Sequence, residues 1–145
     1  MNTDGIRFVD TTIRDGHQSL WAENMTTGMM LPVAEAMKIV KIDAAIKRLK
    51  KISQEMYYTS CFESKHFTSG LIAFRPAKIS DKKQIEHTDK DVVCHVIRGT
   101  GRVRIKSRRI QLRPGMLCHI PKNTPHDFTA GKTGELLLFY SLVDS

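Results

Sequence analysis

From Met56 onward the chain is cut into short apolar or alternating runs: MYYTSCF, FTSGLIAF, DVVCHVI, GRVRIK, RIQL, MLCHI, HDFTA and ELLLFYSLV. Between them stand RPAKISDKK, RGTG, KSR, RPG, PKNTP and GKTG. Short strands punctuated this regularly by Gly and Pro predict an all-β sandwich or barrel. In GRVRIK, Arg102, Arg104 and Lys106 alternate with Val103 and Ile105, the pattern of a strand with one solvated and one buried face. The final run is apolar throughout, so both of its faces should be covered. Pro114-Gly115 has the residue order of a type II turn.

Before Met56 the texture differs. Asn2 to about Val40 reads as a strand, a polar turn and a helix with Thr26 and Thr27 as N-cap candidates, bent at Pro32. Lys41 to Glu55 continues as a basic amphipathic helix. Ile39, Ile42, Ile46, Leu49 and Ile52 recur at helical spacing, and Lys38, Lys41, Lys47, Arg48, Lys50 and Lys51 occupy the opposite side. The 145 residues thus divide into an N-terminal extension, 1–40, and a domain with a leading helix, 41–145. A chain of this length can bury a real hydrophobic core.

The formal charge of +8 is concentrated in that helix and in Arg98, Arg102, Arg104, Lys106, Arg108, Arg109 and Arg113. Such blocks attract anions. They are equally the wet faces of an amphipathic helix and an alternating strand, and no recognised nucleic-acid module or aromatic stacking platform accompanies them. Nucleic acid is therefore not an expected partner. Cys61, Cys94 and Cys118 are odd in number and widely spaced, as reduced, buried thiols would be. No apolar run is long enough to span a bilayer, and Asp4 and Asp10 interrupt any leader-like start, so the expected location is the cytoplasm.

The stretch HVIRGTGRVRIKSRRIQLRPGMLCHIPKNTPHDF, His95 to Phe128, resembles the cupin superfamily, small jelly-roll barrels that often hold one metal ion. In the family's second motif a Gly is followed by five residues, Pro, one residue, Gly, two residues and His. Gly115, Pro121 and His126 fall at those spacings, with Asn123 in place of the inner Gly and Ala130 in place of the terminal Asn. The first motif is a His, one residue, a second His, three or four residues, a carboxylate, and a Gly about seven positions on. In KQIEHTDKDVVCHVIRG, His87 matches the second His and Ile85 occupies the place of the first. Asp91 lies within the permitted spacing from His87, yet counting back from Gly99 lands on Val92.

The motif has a physical basis, since residues two apart on a strand share a face and can converge on one ion with a third imidazole from across the barrel. The resemblance implies a site built on His87, Asp91 and His126, with His119 as a further candidate whose direction depends on register. The donor set would suit Zn, Mn, Fe, Ni or Cu, acting as Lewis acid or binding dioxygen, with His95 as the candidate proton carrier. Asp91 and His95 share a face on a regular strand but stand roughly 13 Å apart, too far to hold one ion together. The alternative is a pocket that has lost its ion and keeps its polar groups for a small molecule.

At the other end, FVDTTIRDGHQSLWAENMTTGMMLPVAEAM, Phe8 to Met37, resembles the first strand and helix of the pyruvate carboxyltransferase group, which includes HMG-CoA lyase relatives. In that group the residue matching Asp10 binds the metal, the one matching Arg14 engages substrate, and the one matching Gln18 lines the site. A complete barrel takes about 250 residues, so this segment is expected to serve as an arm, dimer contact or docking element. A mixed site would have Asp10 or His17 reach a cupin pocket. Met25, Met29, Met30 and Met37 suit adaptable packing.

Taken together, the residues predict a mainly β protein, a cupin-type jelly-roll barrel with an N-terminal strand-helix-helix extension, homodimeric and binding a small molecule in its barrel. Three roles stand open: a metal-dependent enzyme acting on a small polar or carboxylated metabolite, a non-catalytic ligand-binding or sensing module, and an accessory partner of a biotin-dependent carboxylase.

Overall fold

In the computed structural model the described residues are 38–79, 85–132 and 134–145, nearly all within one unit, Val40–Ser145. The expected opening strand, polar turn and first helix, with Asp10, Arg14, His17, Gln18, Thr26 and Thr27, lie outside the described residues.

Among the described residues a short helix, α1 (Ile42–Ile46), precedes nine strands: β1 (Lys50–Lys51), β2 (Met56–Glu63), β3 (Phe67–Phe74), β4 (Lys90–Arg98), β5 (Gly101–Ile105), β6 (Arg108–Leu112), β7 (Leu117–Ile120), β8 (His126–Ala130) and β9 (Leu136–Asp144). They form a six-stranded sheet, order β1-β2-β3-β9-β4-β7, and a three-stranded sheet, order β6-β5-β8. Every pairing is antiparallel. The strand runs legible in the sequence each become a strand, because alternating apolar positions can bury one face of a pleated chain while the turn residues between them reverse its direction.

Two cores result. The larger contains Phe74, Val92, Cys94, Val96, Val103, Leu112, Ile120, Phe128, Leu136 and Leu138, with side chains from both sheets. The smaller gathers Ala45, Leu71, Ala73 and Leu137, with Val40, Ile46, Leu49, Ile97 and Phe139 packed against it. Strand β9 serves both, since Leu136 and Leu138 enter one cluster and Leu137 the other. This double coverage is what its unbroken apolar sequence requires. On β5, Gly101 and Val103 are buried while Arg102 and Arg104 are exposed, as alternation predicts.

The helix expected over 41–55 is not formed. Only Ile42–Ile46 is α-helical, and N–H groups of Arg48 and Leu49 turn back to the carbonyls of Ala45 and Ile46, three residues earlier. Lys50 and Lys51 then pair with Tyr58 and Tyr57 as strand β1. The isoleucine spacing that mimics a helix serves two surfaces instead: Ile46 and Leu49 pack on the smaller core, while Ile52 lines a cavity against the larger one. Pairing β1 with β2 satisfies backbone groups that a helix there would leave on an open sheet edge.

Two turns depend on backbone conformations that few residues tolerate. Gly115 has φ 87°, as the third position of a type II turn demands after Pro114. Gly99 has φ 82°, and a Cβ there would lie 1.8 Å from the Glu135 carbonyl oxygen. Gly99→Ala should therefore lower folding stability by about 2 kcal/mol or more, read from the denaturant midpoint. Gly134→Ala is the control, since its added Cβ meets nothing within 4 Å. Equal effects of the two substitutions would contradict this reading of the turn.

Candidate functional site

A cavity of about 320 Å³ opens against the larger core, with its described walls drawn from residues of both sheets. Its floor is apolar: Ile72, Phe74, Phe128, Leu138 and Leu142 contribute, and Phe74 stacks on Phe128 with ring centroids 5.4 Å apart. Heteroatoms come only from Met56, Tyr58, Tyr140, Cys94, His87 and His126 among the described lining side chains. Burial raises the Tyr140 phenol to about 12, the phenol of Tyr58 and the thiol of Cys61 adding to the shift, so Tyr140 is neutral near pH 7.

His126 begins β8 and is 3% exposed. Its backbone is held by reciprocal bonds with Ile85, whose N–H donates to the His126 carbonyl at 2.8 Å and whose carbonyl accepts the His126 N–H at 2.9 Å. Its ring Nδ1 lies 2.9 Å from the Thr124 carbonyl oxygen. A carbonyl can only accept, so Nδ1 carries the proton and Nε2 is left as an acceptor. Among the described residues no hydrogen bond reaches Nε2. Burial lowers the His126 pKa, opposed by the Thr124 bond and reinforced by His87. The imidazole is accordingly neutral at physiological pH.

His87 stands beside it, half-buried, with ring centroids 6.1 Å apart and planes inclined at 35°. The two rings can reach a shared ligand. Asn123 helps to place His87, because its N–H donates to the His87 carbonyl at 2.7 Å. Asn123 has φ 56°, a left-handed conformation that Asn accepts more readily than most residues. This explains how the loop keeps its shape although the resemblance places a Gly there.

The other expected site residues lie elsewhere. On β4, Val92, Cys94 and Val96 are buried in the larger core, so the alternating pleat turns Asp91, Val93 and His95 to the opposite face. Asp91 accepts a bond from the Lys122 N–H at 2.9 Å and one from the Ser145 hydroxyl at 2.8 Å, and lies 2.9 Å from His119 Nε2. The His119 bond, then those from Lys122 and Ser145, hold its pKa down at about 2. His119 sits opposite Val93 on β7, with an exposed side chain. His95 faces Phe139 and Leu117 in the ladder and does not line the cavity.

The expected set of His87, Asp91 and His126 is therefore corrected to two separate pairs, His87 with His126 at the cavity and Asp91 with His119 outside it. Among the described residues no three His, Cys, Asp or Glu side chains converge in a way that could hold an ion. The two remaining positions of the implied metal set are occupied by Ile85 and Val92, and both line the cavity. The residues present do not fit the metal centre that the resemblance implies.

Residues 70–142 match the family model described as Cupin domain. The chain belongs to the cupin family. Solved structures agree on the fold. The protein TT1209 from Thermus thermophilus is 25% identical over 74% of this chain and 98% of its own, with a TM-score of 0.61. The cupin domain of Schizosaccharomyces pombe Cnp3 is 12% identical over 67% of this chain and 68% of its own, at a TM-score of 0.59. KdgF from Halomonas sp. is 14% identical over 67% of this chain and 86% of its own, at 0.56. No curated protein matches the chain. The family match begins at Gly70 and leaves the carboxyltransferase-like opening untouched. Among the described residues no helix is long and apolar enough to cross a membrane.

Sequence reading missed most of the cavity wall in this cupin. Tyr58, Ile72, Phe128 and Tyr140 carry no motif, and only the pleat alternation around Val92 could have pointed to Cys94 as a lining residue. The buried neutral imidazole yields a pH prediction. A base whose folded pKa is depressed adds stability above its unfolded value, near pH 6.5, and loses it as pH falls through the folded one. The stability of the wild type relative to His126→Phe should therefore drop between about pH 7 and about pH 5, measured by urea denaturation. A difference independent of pH over that range would refute the assignment of a neutral buried ring.

Proposed function

We propose that this cupin binds a small, uncharged, largely apolar molecule carrying one hydrogen-bond donor, and that its barrel does so without a metal ion. The supporting observation is the Nε2 of His126, which meets no hydrogen-bond partner among the described residues and is buried at the edge of an apolar cavity. A buried acceptor left without a donor costs about 1–3 kcal/mol, and a hydroxyl or N–H on a ligand removes that cost. The cavity of about 320 Å³ is at the small end of the range typical of small-molecule sites. A charged ligand would lose its hydration against these walls with no described ion pair in return.

The substitution of Ile85 and Val92 at two implied ligand positions favours a binding or sensing module over metal-dependent catalysis. In the same place where other side chains would grip an ion, these two add apolar wall.

Paired probes test the reading. 4-Ethylphenol and ethylbenzene share shape and differ in one hydroxyl. Calorimetric titration should show the phenol binding about fivefold more tightly, the equivalent of roughly 1 kcal/mol for one net hydrogen bond. His126→Phe should erase that preference while retaining ethylbenzene. Failure of both probes to bind, together with stabilisation by Zn, Mn or Ni ions that His87→Ala abolishes, would replace this reading with the metal-dependent one.

A further inference from the structure

The three cysteines are not equivalent. Cys94 and Cys118 are direct partners in the antiparallel ladder of β4 and β7. Directly opposed residues project from the same face of a sheet, and their Cα atoms stand roughly 4.5–5.5 Å apart. That interval falls inside the range of about 4.4–6.8 Å over which a disulfide closes without moving the backbone. Cys94 is 3% exposed and belongs to the larger core, against which Cys118 is packed. Cys118 is only half-buried and lies on β7, at the edge of the six-stranded sheet. Cys61 lies on β2 and packs against the smaller core, on the other face of the sheet.

We propose that Cys94 and Cys118 form a redox-active dithiol, in which Cys118 is the residue that attacks a hydroperoxide and Cys94 is the resolving thiol. The Cys118 sulfur takes the terminal peroxide oxygen, the O–O bond breaks, and the released alkoxide leaves as the alcohol after gaining a proton. Cys118 is then a sulfenic acid. The Cys94 sulfur attacks it, the S–O bond breaks, and hydroxide leaves with the Cys94 proton as water. Two thiols have lost two electrons and the hydroperoxide has gained them, giving one disulfide, one alcohol and one water.

The acid-base balance of the pair runs in the required direction. A hydrogen bond from Cys94 draws the Cys118 thiol down against the opposing effect of burial, and the nearby His119 adds to the fall. The bond to Cys118, with burial, pushes Cys94 up. The less buried sulfur, Cys118, is thus the more readily ionised of the two, and Cys94 keeps the proton that the second step expels. The inference is independent of what the cavity binds, although Cys94 lies in its wall.

The reduced full chain, treated with hydrogen peroxide at neutral pH, is denatured in N-ethylmaleimide and mapped by mass spectrometry. Two of the three cysteines should lose reactivity, Cys61 should keep it, and a peptide linking Cys94 to Cys118 within one chain should appear and vanish on reduction. In Cys94→Ala, where the hydrogen bond that favours ionisation of Cys118 is also lost, Cys118 should react more slowly and stop at a sulfenic acid trapped by dimedone. Cys118→Ser, where Cys94 lacks its partner, should leave Cys94 alkylatable. Retention of both maleimide adducts after peroxide, a link only between chains, or equally fast consumption of Cys61 would overturn the proposal.

Discussion

The pleat of β4 decides what this cavity contains. Because side chains alternate between faces, burying Val92, Cys94 and Val96 necessarily sends Asp91, Val93 and His95 the other way. A register one residue different would turn the carboxylate inward and the valine out. The core holds the register in place: Val92 and Cys94 pack with Ile120, Phe128 and Leu138, and exchanging them for Asp91 and His95 would put a carboxylate among those apolar side chains. The chemistry open to the site follows from that hydrophobic choice.

Much of the barrel could be read from alternation and turn residues alone. Strands β4, β5 and β9 follow the quoted runs closely, and Gly115 takes the conformation that Pro114-Gly115 announces. The pairing of His87 with His126 was also legible, through motif spacing, although some forty residues of chain separate them. What spacing could not settle was the place of Asp91, since two ways of counting along the motif disagreed by one residue, and one residue is a change of face. The helix expected over 41–55 failed for a different reason. Its isoleucines have a genuine helical period, but an open strand edge on β2 offered Lys50 and Lys51 backbone partners that local propensity does not register.

Cys94 and Cys118 illustrate a further limit. Count and spacing describe cysteines along the chain, whereas their relation is set by the crossing of β4 and β7, twenty-odd residues apart in sequence and directly opposed in space. The same crossing puts His119 beside Val93, which leaves it free to meet Asp91 on the outside. Once strand order is known, the Asp91–His119 pair separates by face from the other two, which share the inner side: the solvated pair lies outside, while His87 with His126 and Cys94 with Cys118 border the larger core.

Strand β9 is the last strand of the domain to be made, yet it lies between β3 and β4 in the larger sheet. Until it leaves the ribosome, those two neighbours have no common partner and the two cores lack Leu136, Leu137 and Leu138. Nascent β2–β8 must wait as an incomplete assembly with exposed edges, a state in which chaperone capture competes with closure.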